Sequence, residues 1–172
     1  MEGRGMTYEW PLFFCLFLAL WSALVGGVFS AFSEFIMSAL LKTEAAGGMQ
    51  AMQHINRDVI RTQFVAGILS IAVFSTLFAF YSLAVFEGVA LATLILAPAV
   101  YLPSVFLMTM FSNVPMNNRL DRLDHASSEG QAYWLEYGRR WTRLNHIRSI
   151  GSVLTAGLYA AAAITLITSG QV

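Results

Sequence analysis

The sequence predicts an all-α integral membrane protein, a four-helix bundle with short amphipathic helices on one side of the bilayer. Three observations predict it. Of the 172 residues, 57% are hydrophobic and only 12% charged, where a soluble domain carries roughly a quarter charged. Four apolar stretches each reach the length of about 20 residues that crosses a bilayer. Two polar segments between them hold nearly all the cations. No internal repeat or low-complexity linker divides the chain, so residues 1–172 read as a single membrane domain.

The first span covers about residues 11–41. It is too long for a secretory leader, its front (Glu2, Arg4, Glu9) is not strongly basic, and no small-residue cleavage site follows. It therefore reads as a retained, tilted span. In the polar segment 42–62, "MQAMQHINRDVIR" sets Met52, Ile55 and Val59 on one helical face and His54, Arg57, Asp58 and Arg61 on the other. Asn56 falls on the apolar side of this short amphipathic helix. The second and third spans, about 63–86 and 89–111, are joined by almost nothing but Glu87-Gly88, which predicts a tight antiparallel hairpin. Pro98 and Pro103 are expected to bend the third span. Pro115 is expected to push Val114 to an extended conformation and to start a new helix with Met116, Leu120 and Leu123 inward. "SSEGQAYWLEYGRRW" reads as a further helix leading into the fourth span, about 149–168.

With four spans, segments 42–62 and 112–148 share one side. Nine of the ten Lys and Arg residues, Lys42 to Arg148, lie there, and only Arg4 lies opposite. The positive-inside rule places both segments in the cytoplasm and both termini outside.

Several function classes lack their marks. No basic, aromatic-interleaved patch suggests nucleic acid. The lone Cys15, inside an apolar run, offers neither a disulfide framework nor a thiolate metal site and reads as a small buried hydrophobe. No glycine-rich phosphate loop or nucleophile elbow is present. No two histidines have metal-ligand spacing, so no metal and no other cofactor is predicted; Glu34, His54 and His146 could form a metal site only through tertiary folding.

What remains is polar chemistry inside apolar helices. Glu34 lies eight residues before Lys42, about 12 Å inside the helix end, and a carboxylate at that depth needs a partner or a wet cavity. It continues a row spaced by four: Ser22, Gly26, Ser30, Glu34, Ser38. In the last span Trp141, Asn145, Arg148, Ser152, Thr155 and Tyr159 recur at three- and four-residue steps, a hydrogen-bonding face running from the polar segment into the bilayer. The expected contact is a Glu34–Arg148 pair. Asn113, at the end of the third span, reaches the same level. Any single asparagine is better explained by capping. Together, Asn56, Asn113, Asn117, Asn145, Arg148 and Glu34 point to one pocket for a small hydrophobic ligand, with Trp141 a further binding residue. Glu34 and His146 are the candidate acid–base groups; His54 reads as solvated and His125 as a loop residue.

Four segments in order, "FSEFIMSALLK", "MQHINRDVI", "NVPMNNRL" and "WTRLNHIR", resemble the four-helix membrane family that includes the fungal anthrone oxygenases, over about residues 11–168. "NVPMNNRL" and "WTRLNHIR" together carry the specificity. By position, the family's motif residues here are Asn56, Asn113, Pro115, Asn117, Arg119, Trp141, Asn145, His146 and Arg148. The resemblance implies an oxidoreductase using molecular oxygen on a small hydrophobic phenolic or polycyclic aromatic. Such a substrate loses a proton to give an electron-rich enolate that reacts with oxygen without metal or flavin. The site would need a base, Glu34 or His146, and oxyanion donors, Asn113, Asn145 and Arg148. Two alternatives stand beside it: a noncatalytic membrane protein that binds or exports a small hydrophobic molecule, as a homo-oligomer if it transports, or a structural assembly partner.

Overall fold

The computed structural model describes residues 9–171; Arg4, the lone cation opposite the others, lies outside the described residues. Five helices follow in order: α1 (Glu9–Leu41), α2 (Ala45–Asp58), α3 (Gln63–Val85), α4 (Gly88–Arg122) and α5 (Ser128–Thr168). All but α2 are long and apolar enough to cross a membrane, and no strand occurs among the described residues. The architecture is the expected all-α four-helix bundle.

Two helices run further than their apolar stretches. α5 has 41 residues, about 60 Å of helix against an apolar bilayer core of about 30 Å. The polar-segment helix and the fourth span are therefore one rod, started by Ser127, whose Oγ accepts the Gly130 N–H at 3.0 Å. α4 likewise passes through the expected break at Pro115. Val114 is helical, at φ −61° and ψ −46°, rather than extended. The reason is local: α4 widens into π-turns at Leu102–Leu107 and Thr109–Asn113. A hydrogen bond reaching five residues back makes room for a proline ring that would otherwise strike the carbonyl four back. α1 carries a similar π-turn at Phe32–Ile36.

The hairpin between α3 and α4 is as tight as predicted, and Gly88 makes it so with a positive φ of 61° that other residues adopt only with strain. Small residues set the bundle's spacing. A Cβ on Gly26 of α1 would come 3.1 Å from Ser152 Cβ of α5, and one on Gly151 would overlap the Ser104 hydroxyl of α4. The Ser30 and Ser149 hydroxyls bond across the same α1–α5 seam. Cys15 is fully buried, as expected, among Leu18, Phe78, Leu94 and Tyr159.

α3 is the odd member. It packs on α1 and on α4 through Leu102–Leu107, yet no Cα of α3 comes within 8 Å of Thr109–Asn113 or of α5. Its polar-segment end, held to α1 by Phe64 on Phe29, stands away from α5 and Thr109–Asn113 and leaves a wedge. α2 lies across that end on a methionine and aromatic layer of Met37, Met52, Met116, Trp134 and Tyr137. Gln53 Nε2 pins it by donating to the Leu120 and Leu123 carbonyls, both at 2.9 Å. These acceptors lie at the end of α4, where carbonyls run out of helical partners; the Leu120 carbonyl also accepts the Leu123 N–H at 3.3 Å.

Candidate functional site

The wedge encloses a cavity of about 370 Å³ touched by all five helices. Its apolar walls come from Phe29 and Phe32 of α1, Met52 and Ile55 of α2, and Phe64 and Ile68 of α3. Asn56, Asn113, Asn117, Trp141, Asn145 and Arg148 all line it. The sequence set Asn56, Asn113, Asn117, Asn145 and Arg148 with Glu34 at one depth; those five and Trp141 meet in one hollow, and Glu34 does not.

Three of them are fixed by partners. Asn117 Oδ1 accepts from Tyr137 Oη at 2.8 Å and from Trp141 Nε1 at 2.9 Å. That bond pair locks α4 to α5 and turns the Trp141 ring toward Phe32, with centroids 5.9 Å apart. Asn145 Nδ2 donates to the Phe29 carbonyl and to Ser33 Oγ, each at 2.6 Å. Its Oδ1 is thereby aimed at Arg148 Nη2, which donates at 2.7 Å. Asn56 Nδ2 reaches Tyr137 Oη at 3.5 Å, a looser contact.

Arg148 and Asn113 differ. Arg148 is 5% exposed and has no carboxylate within 4.0 Å; among the described residues the one ion pair is Arg57–Asp121. Its guanidinium lies 4.3 Å from the Phe29 ring centroid and 5.2 Å from that of Trp141. It also donates to Thr109 Oγ1 at 3.4 Å, while Nε has no partner. Burying an ion costs several kcal/mol even after relaxation. Two cation–π contacts of about 0.5–2 kcal/mol each and one good hydrogen bond offset part of that. Asn113 is 0% exposed, and neither Oδ1 nor Nδ2 has a partner. A cation without an anion and an amide without a partner face one apolar hollow. Buried polar groups are seldom left unbonded, and this pair matches a ligand with an acidic oxygen.

The two acid–base candidates stand elsewhere. Glu34 and His146 are exposed, and neither lines the cavity. The expected Glu34–Arg148 pair does not form. A row spaced strictly by four advances about 40° around a helix at each step. It starts buried at Ser22 and Gly26 and has left the α5 side by Glu34. Ser33 takes the inward place. His146 follows Asn145 by about 100°, which turns it outward. His54 is exposed on the outer face of α2, and His125 sits in the turn before α5.

Sequence reasoning missed Ser33, Thr109, Tyr137 and the Phe29 carbonyl as members of the site. A step of four back from Met37 would have found Ser33. The Phe29 carbonyl carries no side-chain signal at all. It also missed Asp121, whose Oδ1 accepts from Arg57 Nε at 2.6 Å at the exposed rim of the cavity, with both residues among the lining. Among the described residues no three His, Cys, Asp or Glu side chains gather as a metal site requires.

A family model described as anthrone oxygenase matches residues 58–158, which carry α3, α4 and most of α5. No curated protein and no solved structure matches the chain.

Proposed function

The chain belongs to the anthrone oxygenase family, and from that premise we propose that it is a membrane oxidoreductase using molecular oxygen on a small hydrophobic phenolic or polycyclic aromatic. The observation that carries this reading is the unspent polarity of Arg148 and Asn113 inside an apolar cavity. In an anthrone-type substrate the negative charge created at the reacting carbon is delocalised onto a ring oxygen. A preorganised cation and amide held out of water stabilise that charge as it forms. The flat body stacks against Phe29, Phe32 and Trp141.

The chemistry balances without a bound cofactor. The methylene carbon gives up a proton and the enolate gives an electron to oxygen. The two radicals combine as a carbon–oxygen bond, and the peroxide loses water to leave a carbonyl. One CH2 and one O2 become one C=O and one H2O. Asp121 is the carboxylate lining the cavity, and we assign it the proton. At the mouth it exchanges with solvent, a position that Glu34 and His146, outside the cavity, do not have. The charge asymmetry of the sequence supports a cytoplasmic mouth and extracytoplasmic termini.

Purified protein supplied with a panel of anthrones and isotopically labelled oxygen tests the reading. The expected result is one O2 consumed per quinone, one labelled oxygen in the new carbonyl, and turnover that survives chelation. No turnover across the panel overturns it.

A further inference from the structure

The cavity has two boundaries of different character. On the aqueous side α2 and α4 are latched by the Arg57–Asp121 ion pair at 2.6 Å. On the other side lies the gap between α3 and α4, where no Cα of α3 approaches Thr109–Asn113 within 8 Å. Leu69 of α3 and Met110 of α4 flank this gap. Both line the cavity and both are more than a third exposed, so each touches the hollow and the outside at once. Leu69 is about 9 Å into α3 from Gln63, and Met110 about 18 Å before the end of α4. Both positions fall within the apolar stretches of their helices. Two flexible apolar side chains thus border the cavity between α3 and α4, and methionine in particular re-packs at little cost.

We propose that the cavity is loaded from the bilayer, through the gap between Leu69 and Met110, and that its occupant is a lipid-dissolved amphiphile with a flat apolar body and one acidic oxygen. The apolar body enters edge-on between α3 and α4. The oxygen leads, because the polar wall of Arg148, Asn113 and Asn145 is what the cavity offers beyond apolar surface. Loading of this kind spares the ligand a passage through water and leaves the ion-paired mouth to protons and small solutes. The inference rests on the cavity being the ligand site; it does not depend on oxidation.

Protein reconstituted in phosphatidylcholine vesicles, with 1-hydroxypyrene as the probe and its anisotropy as the readout, tests the proposal. Leu69→Trp with Met110→Trp plugs the gap with larger side chains. Expected are filling and release rates each at least roughly tenfold slower, because a narrowed path slows entry and exit alike, whereas a merely filled cavity would speed release. A second version, Leu69→Cys alkylated after folding with a bulky maleimide, gives the same block without asking the larger side chain to fold; Cys15 is fully buried and does not compete. Arg57→Cys alkylated after folding with the same bulky maleimide closes the mouth and is expected to leave filling within about twofold. Filling of the plugged protein at the parent rate, or equal slowing by the maleimide at the mouth, overturns the proposal. A parent that fills through the gap but oxidises no anthrone removes the oxygenase reading alone. A plugged protein that still oxidises anthrones at the parent rate removes this inference alone.

Discussion

Arg148 joins two demands that a substitution separates. As a buried cation without an acidic partner it costs stability, and as the cavity's positive group it is what an oxyanion needs. Arg148→Met removes the guanidinium and leaves an unbranched apolar side chain beside Phe29 and Trp141. Replacing buried charge by an apolar side chain of similar size is often neutral or stabilising. The variant is expected to melt at or above the parent temperature in detergent while turnover falls about 10²-fold, the scale of losing one oxyanion donor. Asn117→Ala does the opposite. It strands Tyr137 Oη and Trp141 Nε1, which both donate to Asn117 Oδ1, and each lost acceptor costs about 1–3 kcal/mol. Denaturation in mild detergent reads that loss. Glu34→Gln and His146→Gln, at exposed positions outside the cavity, are expected to leave both turnover and melting within error. A loss of turnover in either would return the acid–base role to it. At this scale much of the site was legible. Polar residues that have no business in lipid announced themselves, and six of them do line one hollow. The Phe29 carbonyl was not legible, because backbone acceptors carry no residue code.

The helices teach why one polar row was read correctly and another was not. Trp141, Asn145, Arg148, Ser152, Thr155 and Tyr159 alternate steps of four and three, an average near 3.6, and all six are buried. Ser22, Gly26, Ser30, Glu34 and Ser38 keep a strict step of four and wind off the face, so Glu34 ends outside. Spacing alone distinguishes the two. The π-turns were not legible: Pro115 signals a break by rule, and only the widened turns before it let α4 continue. Close approach of the helices also has a test. Gly151→Val drives its side chain into Ser104, and overpacking of this kind costs about 1–3 kcal/mol. Gly157→Val meets nothing within 4 Å and is expected to leave melting unchanged. Thermal unfolding of the two variants side by side checks the claim.

For the molecule as a whole, four apolar stretches and their connections were enough to state the fold, since each span must satisfy its own backbone in lipid. The lean of α3 that opens the cavity was invisible. It follows from which helices share small residues, a property of pairs rather than of one stretch. The charge asymmetry predicts an orientation. His125→Cys, in the turn before α5, is expected to react with a membrane-impermeant maleimide only after the cytoplasmic face is opened. Labelling of intact cells would reverse the assignment.

The central claim is that Arg148 waits, buried and unbalanced, for the oxyanion of a hydrophobic ligand. The absorption spectrum of 1-hydroxypyrene bound to the purified protein, at a pH well below its free ionisation, tests this most directly. Phenolate bands in the parent and phenol bands in Arg148→Met are the predicted result, because a buried cation favours the charged form of its partner. The neutral phenol in both proteins would contradict the account.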